Sequence, residues 1–393
     1  MSEIKQHWQK IELNEILSIS SKKFNPISNN ENKKCVELEH LSQETGKLLG
    51  YTNSSEQQSI KNSFEEGQIL FGKLRPYLKK FWKAEFEGVC SSEIWVMNGK
   101  KVKNDFLFYL VQTEKFNQIA NVSSGSKMPR ADWNYMSEIP FDIPPLKEQE
   151  KIAEILTTWD EAITKQTELL EAKELQKKAL MQKLLSGEVR FDGFSDKWEE
   201  VRIDKLFDFK KGQELSKEKL EKNGIFECIL YGELYTTYSE VISEIKSKTN
   251  IKEGIKSKID DILIPASTTT SAIDLAIAST IQKDNVLIGG DINILRKKTN
   301  NINGEFISKY LTHIKKMEIA KYAQGITIIH LYSKDFKHLK IKLPSLPEQQ
   351  KIAEVLSLAD DEINLLKNEL EELNLQKKAL MQKLLTGQVR VKV

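Results

Sequence analysis

The sequence predicts an α+β chain: two mixed α/β domains separated by two long antiparallel coiled-coil helices, with an internal pseudo-twofold repeat. Three observations predict it. A segment in the middle of the chain recurs near its end. Each copy runs for nearly forty residues without Gly or Pro. The blocks around the copies alternate short β-rich runs with turns, and each has the size of one domain.

The repeat is the strongest of the three. Pro144–Arg190 and Pro344–Arg390 align without a gap at an offset of 200, and 27 of 47 positions are identical, including LQKKALMQKLL at 175–185 and 375–385. Such agreement requires duplication. The match continues upstream at an offset of 190, where Trp8, Ile11, Leu13 and Ile16 answer to Trp198, Val201, Ile203 and Leu206. Gly125 and Gly325 stand equally far before Pro144 and Pro344. Between these anchors the copies diverge, as GKLRPYLKKFW around Gly72 and IPASTTTSAIDLAI around Pro265 show. The organisation is therefore a variable block at 1–143, a constant arm at 144–190, a second variable block at 191–343 and a second arm at 344–393. Two near-constant parts holding two divergent parts suggest one scaffold that presents two specificities.

Each arm reads as one helix. Glu, Lys, Leu, Ala and Gln dominate 148–185, and all favour helix. Prolines precede both arms, and Gly187 and Gly387 stand where a left-handed C-terminal cap belongs. Glu148 and Glu150 in the first turn, and Lys183 in the last, suit the helix dipole. Apolar residues recur in a heptad. They are Ile152, Leu156, Trp159, Ile163, Leu170, Leu180 and Leu184 in the first arm, and Ile352, Leu356, Ile363, Leu366, Leu370, Leu373, Leu380 and Leu384 in the second. Lys177 and Lys377 break the stripe at the same place, where a polar residue can fix register. An amphipathic helix needs a partner, and the other arm is the nearest. Thirty-eight residues make a rod of about 57 Å, roughly one and a half turns of B-DNA at about 34 Å per turn.

In the variable blocks, GQILFGKL, GVCSSEIWVM, DDILIPAS and GGDINILR read as strands, and Asp105–Ala120 and Glu305–Tyr322 as helices. The net charge of +2 is spread almost evenly, but cations cluster locally. Lys73, Arg75, Lys79 and Lys80 are interleaved with Tyr77 and Phe81; Lys127 and Arg130 follow Gly125; Lys210 and Lys211 precede Gly212. Such groups can neutralise phosphates, and Arg can read guanine. Thr268, Thr269 and Thr270, after Ser267, offer hydroxyls to bases or phosphates; a turn role suits them equally.

Other classes leave no trace. With 39% apolar and 30% charged residues and a mean hydropathy of −0.45, the composition is that of a soluble globular protein. No apolar run would span a bilayer, and no secretory leader is visible. Three scattered cysteines fit a reducing cytoplasm, so a cytoplasmic location is expected. No phosphate-binding, dinucleotide, zinc-protease or nucleophile-elbow motif occurs, nor a [DN]PP[FY] tetrapeptide. The five histidines lack metal-ligand spacing. No catalytic or metal-binding residue is therefore expected.

PPLKEQEKIAEIL opening a helix that closes with QKKALMQKLLSGEVRF, followed by DGFSDKWEEVRIDKL, resembles the specificity (S) subunit of type I restriction–modification systems. The second copy, PSLPEQQKIAEVL to LLTGQVRV, matches the same pattern. The resemblance covers essentially the whole chain, arms by residue and target-recognition domains by position. It implies a non-catalytic subunit in which each recognition domain reads one half of a bipartite, asymmetric double-stranded DNA target. It implies that the arms set the spacer and dock two methyltransferase (M) subunits, which restriction (R) subunits join. It places S-adenosylmethionine on M, and ATP and Mg on R, with no cofactor on this chain. Within that class a silent or swappable specificity cassette is an alternative. Outside it, a coiled-coil interaction protein without DNA readout, or an enzyme with an unrecognised site, remains to be distinguished.

Overall fold

The computed structural model describes residues 8–29, 31–122, 128–213 and 215–392. The chain divides into two compact units. One comprises residues 1–168 with 368–393, the other 169–367. The arm helices, Leu146–Ser186 and Leu346–Leu385, each contribute to both.

In the first unit, Gln9–Glu12 pairs antiparallel with Pro140–Ile143, closing the ends of the recognition domain on one another. A four-stranded sheet follows in the order Leu17–Ile19, Ile94–Gly99, Ile69–Gly72, Phe81–Lys83. A five-stranded sheet lies in the order Lys23–Phe24, Lys61–Phe64, Gly88–Cys90, Lys34–Val36, Thr52–Asn53. Ile69–Gly72 is buried on both faces. Ile69 and Phe71 enter a core with Leu13, Ile16, Phe106 and Phe116, while Leu70 enters a second with Phe64, Trp82 and Val96. Burial on both faces explains why the strand reads as a continuous apolar run rather than an alternation.

The second unit repeats this frame. Glu199–Arg202 pairs with Lys340–Leu343. The central sheet runs Phe207–Lys211, Ile292–Lys297, Asp261–Pro265, Ser279–Ile281, Val241–Ile242. Ile262 and Ile264 face one core and Leu263 another. The predicted strands are present. The two predicted domain helices are each broken. The first becomes Asn104–Leu110 and Glu114–Ala120, because Thr113 takes an extended backbone and caps the second piece through the Phe116 N–H at 3.2 Å. The second becomes Gly304–His313 and Lys316–Ala320, separated where Ile314 and Lys315 both donate to the Tyr310 carbonyl.

The arms run antiparallel, as predicted. Both end in a left-handed glycine, Gly187 at φ 76° and Gly387 at φ 69°. Gly387 and Gln388 donate to Leu384 and Lys383, returning the last carbonyls their partners. The two stripe-breaking lysines meet carboxylates of the opposite arm: Lys377 pairs with Asp160 in the first unit and Lys177 with Asp360 in the second. Each aspartate is also held by its recognition domain, Asp160 by the Tyr109 hydroxyl at 2.8 Å and Asp360 by the buried Lys309 at 2.7 Å. Burial raises the Tyr109 pKa, and the Asp160 charge adds to it, so this hydroxyl stays a donor.

The heptad assignment needs one correction. Ile152, Leu156 and Leu384 lie in the core of the first recognition domain, and Leu184, Ile352 and Leu356 in that of the second. The arm ends are therefore domain-core elements. Only the middle stretches form an arm–arm seam, where Ile363 and Leu366 are buried and Trp159, Ile163, Leu170, Leu370 and Leu373 half-buried, while the half-buried Leu180 and Leu380 pack against the domain cores. Two helices cannot enclose a full apolar stripe. The three cysteines are buried free thiols. No helix among the described residues is long and apolar enough to cross a membrane.

The seam yields a prediction of counter-intuitive sign. Replacing Lys177 and Lys377 by Leu extends the apolar stripe yet takes one partner from each aspartate, leaving Asp360 to Lys309 and Asp160 to Tyr109. The unfolding free energy is expected to fall by about 1 kcal/mol per site, lowering the thermal midpoint rather than raising it. A higher midpoint would show that the seam lysines are only tolerated.

Candidate nucleic-acid interface

The most constrained part of each arm is its first turn. Glu148, which the sequence offered as a first-turn acid suited to the helix dipole, and its counterpart Glu348 are both almost fully buried. In the first unit Arg390 grips Glu148 through both oxygens at 2.6 and 2.8 Å, and the Trp8 indole donates to it at 3.1 Å. In the second, Arg190 grips Glu348 at 2.8 and 2.7 Å, and Trp198 donates at 3.2 Å. The neighbouring glutamines act in the same paired way. Gln149 accepts from the Lys103 amide and donates to the Lys101 and Pro144 carbonyls; Gln349 accepts from Asn303 and donates to Asn301 and Pro344. This frame fixes the central strands, and the strand ends carry the candidate contacts.

In the first domain Ile69–Gly72 runs out into the loop Lys73–Lys80. Lys73 donates to the Glu93 carbonyl and accepts from Ala131, and Arg75 donates to Pro129. The 3-10 turn Pro76–Leu78 is set between two left-handed residues, Arg75 at φ 52° and Lys79 at φ 47°. Such conformations cost on the order of 1–3 kcal/mol each and concentrate at functional sites. The turn brings together Lys73, Arg75, Lys79, Lys80 and Arg130, but several of these are occupied. Lys79 pairs with Glu44 at 2.8 Å, and that hydrogen bond lowers the Glu44 pKa. Lys80 donates to the Leu38 carbonyl at 2.6 Å. Arg130 holds Glu93 through two bonds of 3.0 and 3.1 Å, which raise its own pKa. Lys73 is half-buried, while Arg75 and Tyr77 are exposed. Lys127 lies outside the described residues.

In the second domain Asp261–Pro265 runs out at the same point of the frame. Ala266 donates to the Asp291 carbonyl and accepts from Leu331, as Lys73 does with Glu93 and Ala131. Ser267 pairs with His330, as Leu74 does with Arg130. The two dissimilar stretches noted in the sequence therefore occupy one structural position, with Thr268 in the place of Arg75. Thr268 must be corrected as a contact: it is buried, and its hydroxyl is bonded to Thr270 at 2.9 Å. The Thr270 and Ser271 hydroxyls both go to Asp274, at 2.6 and 2.7 Å, capping the helix Ala272–Leu275. The hydroxyl cluster is mainly a turn and cap, and Thr269 and Thr270 are its exposed members. Lys211 approaches Asp291 at 3.4 Å, and Lys210 is exposed.

Sequence reasoning set aside a second group here. His330 stacks on Tyr332 with ring centroids 5.6 Å apart and planes 7° from parallel, and Lys334 lies over the same tyrosine. A signal for it existed, because His330 and Arg130 stand at the same 200-residue offset as the arms. Ile326, in the adjoining turn, is 99% exposed. On the arm segments of the second unit Leu169, Leu175, Leu358 and Leu365 are also exposed.

Comparison with known proteins agrees with this arrangement. The family model described as the type I restriction modification DNA specificity domain matches twice, over residues 5–174 and 195–375. A putative type I restriction enzyme MjaX specificity subunit from Methanocaldococcus jannaschii is 25% identical over 100% of this chain and 96% of its own length. The EcoDI specificity subunit from Escherichia coli is 34% identical over 42% of this chain and 38% of its own. A chain from a solved structure titled for complex assembly and conformational transition of the type I R-M system superposes with a TM-score of 0.62, at 18% identity, covering 98% of this chain and 99% of that one.

Proposed function

The chain belongs to the type I restriction–modification DNA specificity family, and we propose that its two recognition domains each read one half of a bipartite, asymmetric DNA target. As a specificity subunit it is non-catalytic, the catalytic activities lying on other subunits. The observation that carries the bipartite reading is the equivalence of the two loops. One frame, built twice, presents an arginine-containing turn in one copy and a hydroxyl, histidine and tyrosine group in the other. A single repeated site would read a palindrome; two different chemistries suit unlike half-sites.

The arms serve assembly in this reading. Their exposed leucines suit the apolar face of a helical partner, and two methyltransferase subunits, one at each recognition domain, would fill that role. Restriction subunits would join through them. S-adenosylmethionine would then sit on the methyltransferase, and ATP and Mg on the restriction subunit, in the cytoplasm. Partner subunits would share the phosphate contacts, which fits a chain whose net charge is only +2.

Co-expression with the methyltransferase in a host free of adenine methylation, followed by genome-wide mapping of methyladenine, tests the proposal. A bipartite motif that disappears without this chain is the expected result. A stable complex that leaves no motif would contradict it. A second prediction concerns docking: Leu175→Glu with Leu365→Glu should abolish co-purification of the methyltransferase while leaving the unfolding free energy of the isolated chain within about 0.5 kcal/mol of wild type, as surface substitutions do. Undiminished co-purification would place the docking surface elsewhere.

A further inference from the structure

The chain has 53 lysines but only six arginines. Five of the six are committed to carboxylates: Arg130 to Glu93, Arg190 to Glu348, Arg202 to Asp204, Arg296 to Asp261 and Arg390 to Glu148. Arg75 alone forms no ion pair among the described residues, and it is exposed. Its backbone is not loose. The amide is bonded to Pro129 at 2.8 Å, the carbonyl accepts from Leu78 at 2.9 Å, and the following Pro76 is buried. The carboxylate of Glu93, whose carbonyl accepts from the Lys73 amide of the same loop, is taken on both oxygens by Arg130. The fold thus holds one guanidinium on a left-handed, backbone-bonded turn with no ion-pair partner among the described residues.

Resting on the reading of this chain as a DNA specificity subunit, we infer that Arg75 reads a base, donating two hydrogen bonds to O6 and N7 of a guanine in the half-site of the first domain. The guanidinium fork matches that edge, and this is the commonest specific arginine contact in the major groove. Lysines are plentiful enough to serve phosphates, which need only a point charge. The equivalent residue of the second domain, Thr268, is buried, so the same position cannot read the other half-site in this way.

The test uses the complex with the methyltransferase, comparing wild type, Arg75→Ala and Arg75→Lys by methyladenine mapping and by binding to the mapped duplex. For both variants one G·C position of a single half-motif should become degenerate. Affinity for the intact site should fall about ten- to a hundredfold, with the other half-motif unchanged. The unchanged half also reports that the variant is folded and assembled; should Arg75→Ala fail to assemble, Arg75→Gly, suited to the left-handed backbone, carries the same test. An unaltered motif would overturn the inference. So would a uniform loss over all sequences with the salt slope reduced by about one, restored by Arg75→Lys, which is the signature of a phosphate contact. Absence of any motif from the wild-type complex would instead overturn the underlying reading.

Discussion

Two buried glutamates organise this molecule. A carboxylate removed from water costs several kcal/mol unless both oxygens are paired, and Glu148 and Glu348 meet that demand in the same way. Each takes a two-pronged arginine and a tryptophan indole. The arginine follows the end of the other arm, and the tryptophan opens the recognition domain. The start of one arm is thereby tied to the end of the other within each unit, which dictates an antiparallel pair. The adjacent glutamines then bind backbone around Lys101–Lys103 and Asn301–Asn303, and so seat each domain on its arm. A seam lysine and aspartate repeat the same logic further along.

From this constraint the division between constant and variable parts follows. The lock, the glutamine clasp and the buried residues Leu13, Ile16, Ile203 and Leu206 are needed in any copy, because each has partners on another element. The loops that leave Gly72 and Pro265 keep equivalent backbone partners, while their side-chain partners differ between the two copies. They can carry an arginine turn in one domain and a capped hydroxyl turn in the other without disturbing the frame.

Much of the architecture was legible in the sequence because its signals are local or periodic. The duplication, the arm helices, their glycine caps and the paired stripe-breaking lysines all depend on spacing along the chain. What escaped depends on contacts between distant residues. Glu148 looked like an ordinary first-turn acid, since nothing nearby announces that Arg390 and Trp8 converge on it. Ile152 and Leu384 keep the heptad but serve a domain core, a distinction that periodicity cannot make. Thr268 was misplaced because burial at a strand end is a tertiary property. His330 stood only among five histidines without metal-ligand spacing, although the repeat offset pairs it with Arg130.

The central claim is that the Arg390–Glu148 lock belongs to the first unit alone. Hydrogen–deuterium exchange on Arg390→Ala, resolved by peptide, tests it directly. Faster exchange confined to residues 8–168 and 368–392, with 169–367 as protected as in wild type, is the result this account predicts. Faster exchange across both units, or in 169–367 alone, would contradict it.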